Sequence, residues 1–293
     1  MNMKVGVECY ICLLERAIKA ASMHTRDEEL IIKVAKKISE FLVSEFSFDA
    51  TPAVLGTRRE KIIMETLGIE DIYKEIKLQS NEVAKKVANK IFRDMDFGDR
   101  SYENFRKFMC LAAAANSMEW FIRGHEFSLD IFEDKLISSM ENVVIDDSKA
   151  LYEIVENRRV LYILDNAGEA VIDLYIVKYL KNFARTITLA ARQRPILNDV
   201  TVDELINLGG EEFCDKIVAV GDFVGVIFEW ATEEFLTAFD ESDLIIAKGM
   251  GAYESLTEYK LDKPTFIILT AKCTRVARDL NVQQGKLVIK RIS

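Results

Sequence analysis

Two rhythms of apolar and polar positions divide the chain. From about residue 8 to residue 155, apolar residues recur at steps of three and four. ERAIKAASMH, DEELIIKVAKKISEFLVSEF, NEVAKKVANKIFRDM, SYENFRKFMCLAAAANSMEWFI and LDIFEDKLISSMENVV all follow this spacing, which predicts amphipathic helices with one core-facing stripe. Ser and Asp near several of the starts are in place to cap them. From Asn157 the rhythm changes. RVLYILD, TITLAAR, KIVAVG, DLIIAKG and PTFIILTA are short apolar runs, each followed by an amphipathic stretch, and KLVIKRI closes the chain. Strand–helix alternation with runs apolar on both faces predicts a mostly parallel sheet covered on both sides. The expected fold class is therefore α/β. A Rossmann-like C-terminal domain (156–293) should carry the sheet, with an all-helical N-terminal domain (1–155) packed on it.

Composition narrows the possible functions. The 293 residues are 49% hydrophobic, enough for a substantial core, and contain only 3 prolines and 13 glycines, which argues against low-complexity linkers. A net charge of −9 repels phosphate backbones, so nucleic acid is not an expected partner. No apolar run reaches the roughly 20 residues of a membrane span. Glu8, Glu15 and Arg16 interrupt the first apolar stretch, so it does not read as a signal peptide, and a cytoplasmic protein is expected. Five cysteines, an odd number, point to reduced thiols rather than a disulfide framework.

In an open α/β sheet, ligands bind beyond the carboxyl ends of the strands. Those positions are rich in chemistry. Asp165, Asn166, Gly168 and Glu169 follow the first predicted strand. Arg192, Arg194, Asn198 and Asp199 follow the second, and Gly221, Asp222 and Gly225 the third. Lys248, Gly249 and Gly251 follow the fourth, and Thr270, Lys272 and Cys273 the fifth. Carboxylate and amide oxygens suit a hard cation such as Mg²⁺ or Mn²⁺. Arg and Lys suit phosphate oxygens, and glycines admit a phosphate to a helix start. Each loop alone reads first as a helix cap; their convergence on one sheet edge points to a metal-assisted phosphoryl site.

Rival motifs are missing. There is no GxGxxG after the first strand, no GxxxxGK[ST] and no GxSxG, which weighs against dinucleotide, nucleoside-triphosphate and serine-hydrolase chemistry. The two histidines, His24 and His125, lie in the helical half and do not suffice for a zinc hydrolase. A Rossmann-type carboxyl methyltransferase and a non-catalytic metal- or metabolite-binding protein are the alternatives to a phosphatase.

LDNAGE, PILNDVT, the glycine-flanked Asp222 and AKGMGAYESL together resemble the metal-dependent damage-control phosphatases, once catalogued as domain of unknown function 89. KLQSNEVA around Asn81, LAAAAN around Asn116 and AKCTRVARDLNV resemble pieces of that family's prokaryotic and archaeal branch, which carries an N-terminal CxxC. The resemblance implies a phosphatase of small phosphorylated metabolites, sugar phosphates or damaged phosphometabolites, using a divalent cation (Mg, Mn, Co or Ni). It implies metal ligation by Asp165, Asn166 and Asp199, and phosphate contact by Lys248. Gly168, Gly249 and Arg192 complete the expected phosphate-binding set, with Glu169 or Asp222 as the acid that orients water. Ala252 departs from the family pattern KGxGN(Y/F)E, where Asn stands. Cys9 and Cys12, three apart on a predicted helix, could converge with Cys273 on a second, soft metal or a redox pair; unconnected thiols are the alternative. Cys110 and Cys214 fall on apolar helix faces and are expected in the core.

Overall fold

A computed structural model describes residues 3–117, 134 and 136–293. It is an α/β protein built on a seven-stranded sheet in the order β1-β7-β6-β5-β2-β3-β4. The strands are β1 (Val143–Asp146), β2 (Arg159–Ile163), β3 (Thr186–Ala191), β4 (Lys216–Ala219), β5 (Leu244–Lys248), β6 (Thr265–Thr270) and β7 (Leu287–Arg291). All neighbours pair in parallel except β6 and β7. The chain runs outward from β2 through β3 to β4, then returns to the other side of β2 as β5. The gap between the loops leaving β2 and β5 is thus a topological switch point, where such sheets open a crevice.

Period-two alternation sends successive strand residues into different cores. Val160, Tyr162, Leu189, Ile246 and Ile268 join one buried cluster. Leu161, Ile163, Ala190, Ile245 and Ile267 join another. The first is covered by α4 (Lys74–Ile91), α5 (Tyr102–Ser117), α6 (Ser148–Ile154) and α7 (Glu169–Leu180). The second is covered by α9 (Glu233–Glu241), α10 (Gly249–Leu256) and α11 (Thr274–Leu280). Short α8 (Val202–Asn207) follows β3. The first three helices, α1 (Val7–His24), α2 (Glu28–Glu45) and α3 (Pro52–Leu67), close a core of their own around Ala17, Val34, Ile38 and Ile63. The two halves of the sequence are therefore interleaved in space: α4 and α5 form part of the sheet's covering layer. No helix among the described residues is long and apolar enough to cross a membrane.

Six of the seven strands lie in the runs that alternation predicts. The seventh corrects a helical expectation. The end of LDIFEDKLISSMENVV is β1, whose Val143, Ile145 and Asp146 pair with β7. Four residues, VVID, are too short to show a period, and pairing with β7 decides their state. Residues 118–122 of the preceding predicted helix, and residues 129–133 and 135 of this one, lie outside the described residues. Helix α3 lacks a clear apolar stripe because Gly56, Thr57, Arg58, Arg59 and Glu60 interrupt it; Pro52 at its start and Gly68 at its end mark its limits.

The layer over the first core is knit by aromatic stacking. Phe108 of α5 lies on Tyr179 of α7 with centroids 3.8 Å apart and planes 3° from parallel. Phe108→Ala should lower unfolding free energy by about 3–5 kcal/mol, measured by denaturant titration.

Candidate active site

Asp165 and Asn166 leave β2 at the switch point and are half-buried. The loop after β3 folds back onto them. Ala167 N–H donates to Asn198 O at 2.8 Å, Val200 N–H donates to Asp165 O at 2.9 Å, and Asn166 and Asp199 form an antiparallel bridge. This backbone pairing sets Asp199 beside Asp165–Asn166. Thr201, next along, caps α8 in a reciprocal capping box with Glu204, which ends the loop cleanly.

The acids are bound into one network. Asp165 Oδ2 accepts from Asn166 Nδ2 at 2.7 Å and from Asn116 Nδ2 at 3.0 Å. Asn116 comes from α5, and Thr270 N–H donating to its Oδ1 at 2.9 Å fixes which way its amide points. Glu169 accepts from Asn116 Nδ2 at 2.9 Å, from Asn166 Nδ2 at 3.0 Å and from Lys248 Nζ at 2.7 Å. Lys248 Nζ also donates to Asp173 Oδ1 at 2.8 Å and to the Ala112 carbonyl at 2.8 Å. Tyr162 OH donates to Asp173 at 2.7 Å. Asp199 Oδ2 accepts from Arg192 Nε at 2.7 Å, and Arg192 Nη1 donates to Gly225 O. Glu169, Asp173, Arg192, Asp199 and Lys248 are all at most 2% exposed.

The charges set the pKa values. Burial, then the charges of Asp199 and Glu169, push the Asp165 carboxyl up to about 8. Burial lifts Asp173 to about 6 against the pull of Lys248. Burial also raises Asp199, partly offset by Arg192. Glu169 is the exception: burial would raise it, but Lys248, Lys272 and the Asn166 amide together bring it below its ordinary value. Lys272, exposed just past β6, lowers the carboxyl pKa of both Asp165 and Glu169.

Several expected phosphate contacts are spent inside the protein. Lys248 is not a free ammonium at the crevice; Glu169, Asp173 and Ala112 O take its donors. Arg192 holds Asp199 and the Gly225 carbonyl. The Gly168 amide donates to Asn81 Oδ1 of α4 at 2.6 Å. Glu169, named as an acid for water, has both oxygens occupied. Gly249 serves the site by being small: with φ at +81°, a side chain there would strain the backbone and collide with the Asp165 carboxylate. Asp222 lies apart from this network, 3.9 Å from Arg194. Ala252, on α10, packs into the second core.

Cys9, Cys12 and Cys273 are electrostatic neighbours: Cys273 acts on Cys9, and Cys12 acts on Cys273. Cys9 Sγ accepts from Gly6 N–H and Cys273 Sγ from Val276 N–H, each at 3.4 Å. Burial pushes both thiols up. Among the described residues no group of three His, Cys, Asp or Glu side chains could hold a metal ion. Cys110 and Cys214 are buried in the core as expected. His24 Nε2 donates to Ile72 O at 3.0 Å, and His125 lies outside the described residues.

The hard-donor trio remains: two carboxylates, Asp165 and Asp199, and the amide of Asn166, whose backbone bridges to Asp199. Both Asn166 Nδ2 bonds go to acids, Asp165 and Glu169. Oxygen donors and mutually repelling carboxylates are the conditions a divalent cation relieves. Asp173 and Tyr162 carry no expectation from sequence. The signal for Asp173 is its place four residues after Glu169 in an otherwise apolar helix, which puts both acids on one face.

Comparison with known proteins settles the relationship. The sequence matches the damage-control phosphatase ARMT1-like domain over residues 5–288. The chain belongs to this family. A damage-control phosphatase from Archaeoglobus fulgidus is 33% identical, covering 98% of this chain and 99% of its own. One from Pyrococcus horikoshii is 32% identical over 99% and 98%. An uncharacterized protein from Methanocaldococcus jannaschii is 34% identical over 98% and 95%. The crystal structure of a DUF89 family protein from Pyrococcus horikoshii superposes with a TM-score of 0.91, 32% identity and full coverage of both chains. The damage-control phosphatase fold thus accounts for the whole architecture, with the acid network at its switch point.

Gly249→Ala should displace the Asp165 carboxylate and lower divalent-cation affinity at least tenfold, read by calorimetry. In cation-free protein, Asp165, Glu254 and Asp173 titrate near 8, 7 and 6, above the unfolded carboxyl range near 4. The folded state then binds more protons, so stability is full below about pH 4 and is lost as pH rises through about 6 to 8. Melting curves in chelator from pH 5 to 9 should fall accordingly, and Asp165→Asn should flatten the upper part.

Proposed function

We propose that the chain is a divalent-metal-dependent phosphatase acting on small phosphorylated metabolites, sugar phosphates or damaged phosphometabolites. The observation that carries this reading is the meeting of Asp165, Asn166 and Asp199 at the switch point, each held by a dedicated partner. These three would hold the cation, which supplies charge neutralisation to the phosphoryl oxygens.

The chain's own residues account for the remaining roles. Asn116 and Asn166 orient the Asp165 carboxylate, and Arg192 orients Asp199. Glu169, kept ionised by Lys248, anchors both amides from below. Lys272, the exposed cation at the crevice, meets phosphate oxygens that Lys248 does not reach. Phosphoryl transfer proceeds through a loose transition state and needs orientation and charge more than a strong base. Of the two acids considered for orienting water, Glu169 is saturated. That leaves Asp222 for the role: it lies outside the hydrogen-bonded network, and its buried Oδ1 has no hydrogen-bond partner among the described residues. Family membership gives no support to the carboxyl-methyltransferase alternative.

Release of inorganic phosphate from a panel of phosphomonoesters should require an added divalent cation and stop with EDTA. Asp165→Asn and Asp199→Asn should each lose at least about 100-fold in kcat/KM, and Asn116→Ala about 10- to 100-fold. Undiminished turnover by Asp165→Asn would reject the site.

A further inference from the structure

Helix α3 carries two charged side chains whose polar atoms the fold leaves unmatched. Arg59 and Glu60 are 3% and 1% exposed. They pair with one another, Arg59 Nη2 donating to Glu60 Oε2 at 3.2 Å. Arg59 Nε and Glu60 Oε1 are buried with no hydrogen-bond partner among the described residues. An unmet buried donor or acceptor costs about 1–3 kcal/mol, and more when charged. Two of them on adjacent residues call for a physical reason.

Their position supplies one. Ala53, Thr57 and Glu60 follow one another at steps of four and three, so they share one face of α3. Ala53 packs against Ile196, in the loop that leads to Asp199. Thr57 Oγ1 accepts from Val224 N–H at 2.9 Å, in the loop after β4. Glu60 is the next residue along that face. Burial raises its carboxyl against the pull of Arg59 and Arg16, and the charge of Asp199 adds to the rise. Glu60 is thus an electrostatic neighbour of the trio. On the far side, Glu254 of α10 feels Arg16 and Arg59 in turn. A helix from the N-terminal half therefore walls the loops that follow β3 and β4, with an unpaired acceptor and an unpaired donor buried in the wall.

We propose that Arg59 and Glu60 form the subsite for the non-phosphate part of the substrate, and that it takes a hydroxyl beside a second oxygen: a 1,2-diol or an α-hydroxycarbonyl. Glu60 Oε1 accepts from the hydroxyl, and Arg59 Nε donates to the neighbouring oxygen. A second phosphate is disfavoured there, because Glu60 is a carboxylate and Asp199 is close. The inference rests on the phosphatase reading above and specifies its substrate class. A site built to bond a substrate hydroxyl rejects the analogue without it far more strongly than an apolar pocket does.

Two matched substrate pairs test this. Ribose 5-phosphate is compared with tetrahydrofurfuryl phosphate, the same ring without hydroxyls, and glycerol 1-phosphate with propyl phosphate. The native enzyme should favour the hydroxylated member of at least one pair by tenfold or more in kcat/KM. Glu60→Gln, which keeps size, and Arg59→Lys, which keeps charge, should each cut that ratio at least tenfold, mainly through KM. Equal losses on both members of a pair would mean a purely structural role and overturn the subsite. So would a native enzyme without preference in either pair, a result that does not depend on the variants folding. Native protein that releases phosphate from no phosphomonoester would instead overturn the phosphatase reading, and the subsite with it.

Discussion

Four carboxylates crowd the end of one strand, and much of the surrounding structure exists to make that tolerable. Asp165, Glu169 and Asp173 come from a single strand–helix junction, and Asp199 is brought against them by the neighbouring loop. Buried charges cost several kcal/mol each unless they are paired and hydrogen-bonded. Lys248 stands between Glu169 and Asp173, Arg192 holds Asp199, and two asparagine amides share the remaining oxygens. Two buried cations do not balance four acids, and Asp165, at the mouth, takes up the imbalance as a raised pKa.

This requirement explains why the helical half is wrapped so closely onto the sheet. The Lys248 ammonium takes its third acceptor from a backbone carbonyl, that of Ala112, where small side chains let a helix come close. Helix α5 meets the need with Ala112, Ala113, Ala114 and Ala115, all fully buried, and then presents Asn116 to the acids. Helix α4 adds Asn81 on the Gly168 amide and Lys77, whose ion pair with Glu204 ties α4 to the helix that follows Asp199. The site is a joint product of both halves of the chain.

A division of labour follows from depth. Glu169, Asp173, Tyr162 and Lys248 form a saturated, fully buried floor, whereas Asp165 and Asn166 are half-buried above it and Lys272 is exposed beside it. Groups locked in place before substrate arrives need no reorganisation during charge transfer, which is where such sites gain most of their rate. The family resemblance implied that Lys248 would touch phosphate. Its neighbours instead make it the counter-ion that keeps Glu169 ionised in the floor.

Much of this was legible along the chain. The α/β class, six strands and the strand-end positions of Asp165, Asn166 and Asp199 follow from local alternation and from where polar residues interrupt apolar runs. Those signals span a few residues, and they depend on hydrophobic burial that every strand and helix must satisfy. Partnerships do not have that property. Lys248 meets Asp173 across 75 positions and Ala112 across 136, and Gly168 meets Asn81 across 87. Nothing local distinguishes a lysine bound for phosphate from one destined for a buried ion pair. Likewise VVID became a strand only because β7 lay beside it, and nothing in the local sequence of Arg59 and Glu60 shows that α3 buries them. Residue type and period determined which groups could do chemistry and at which sheet edge. Only the three-dimensional packing decided which of them stay open to a ligand, because hydrogen-bond saturation is set by neighbours far away in sequence.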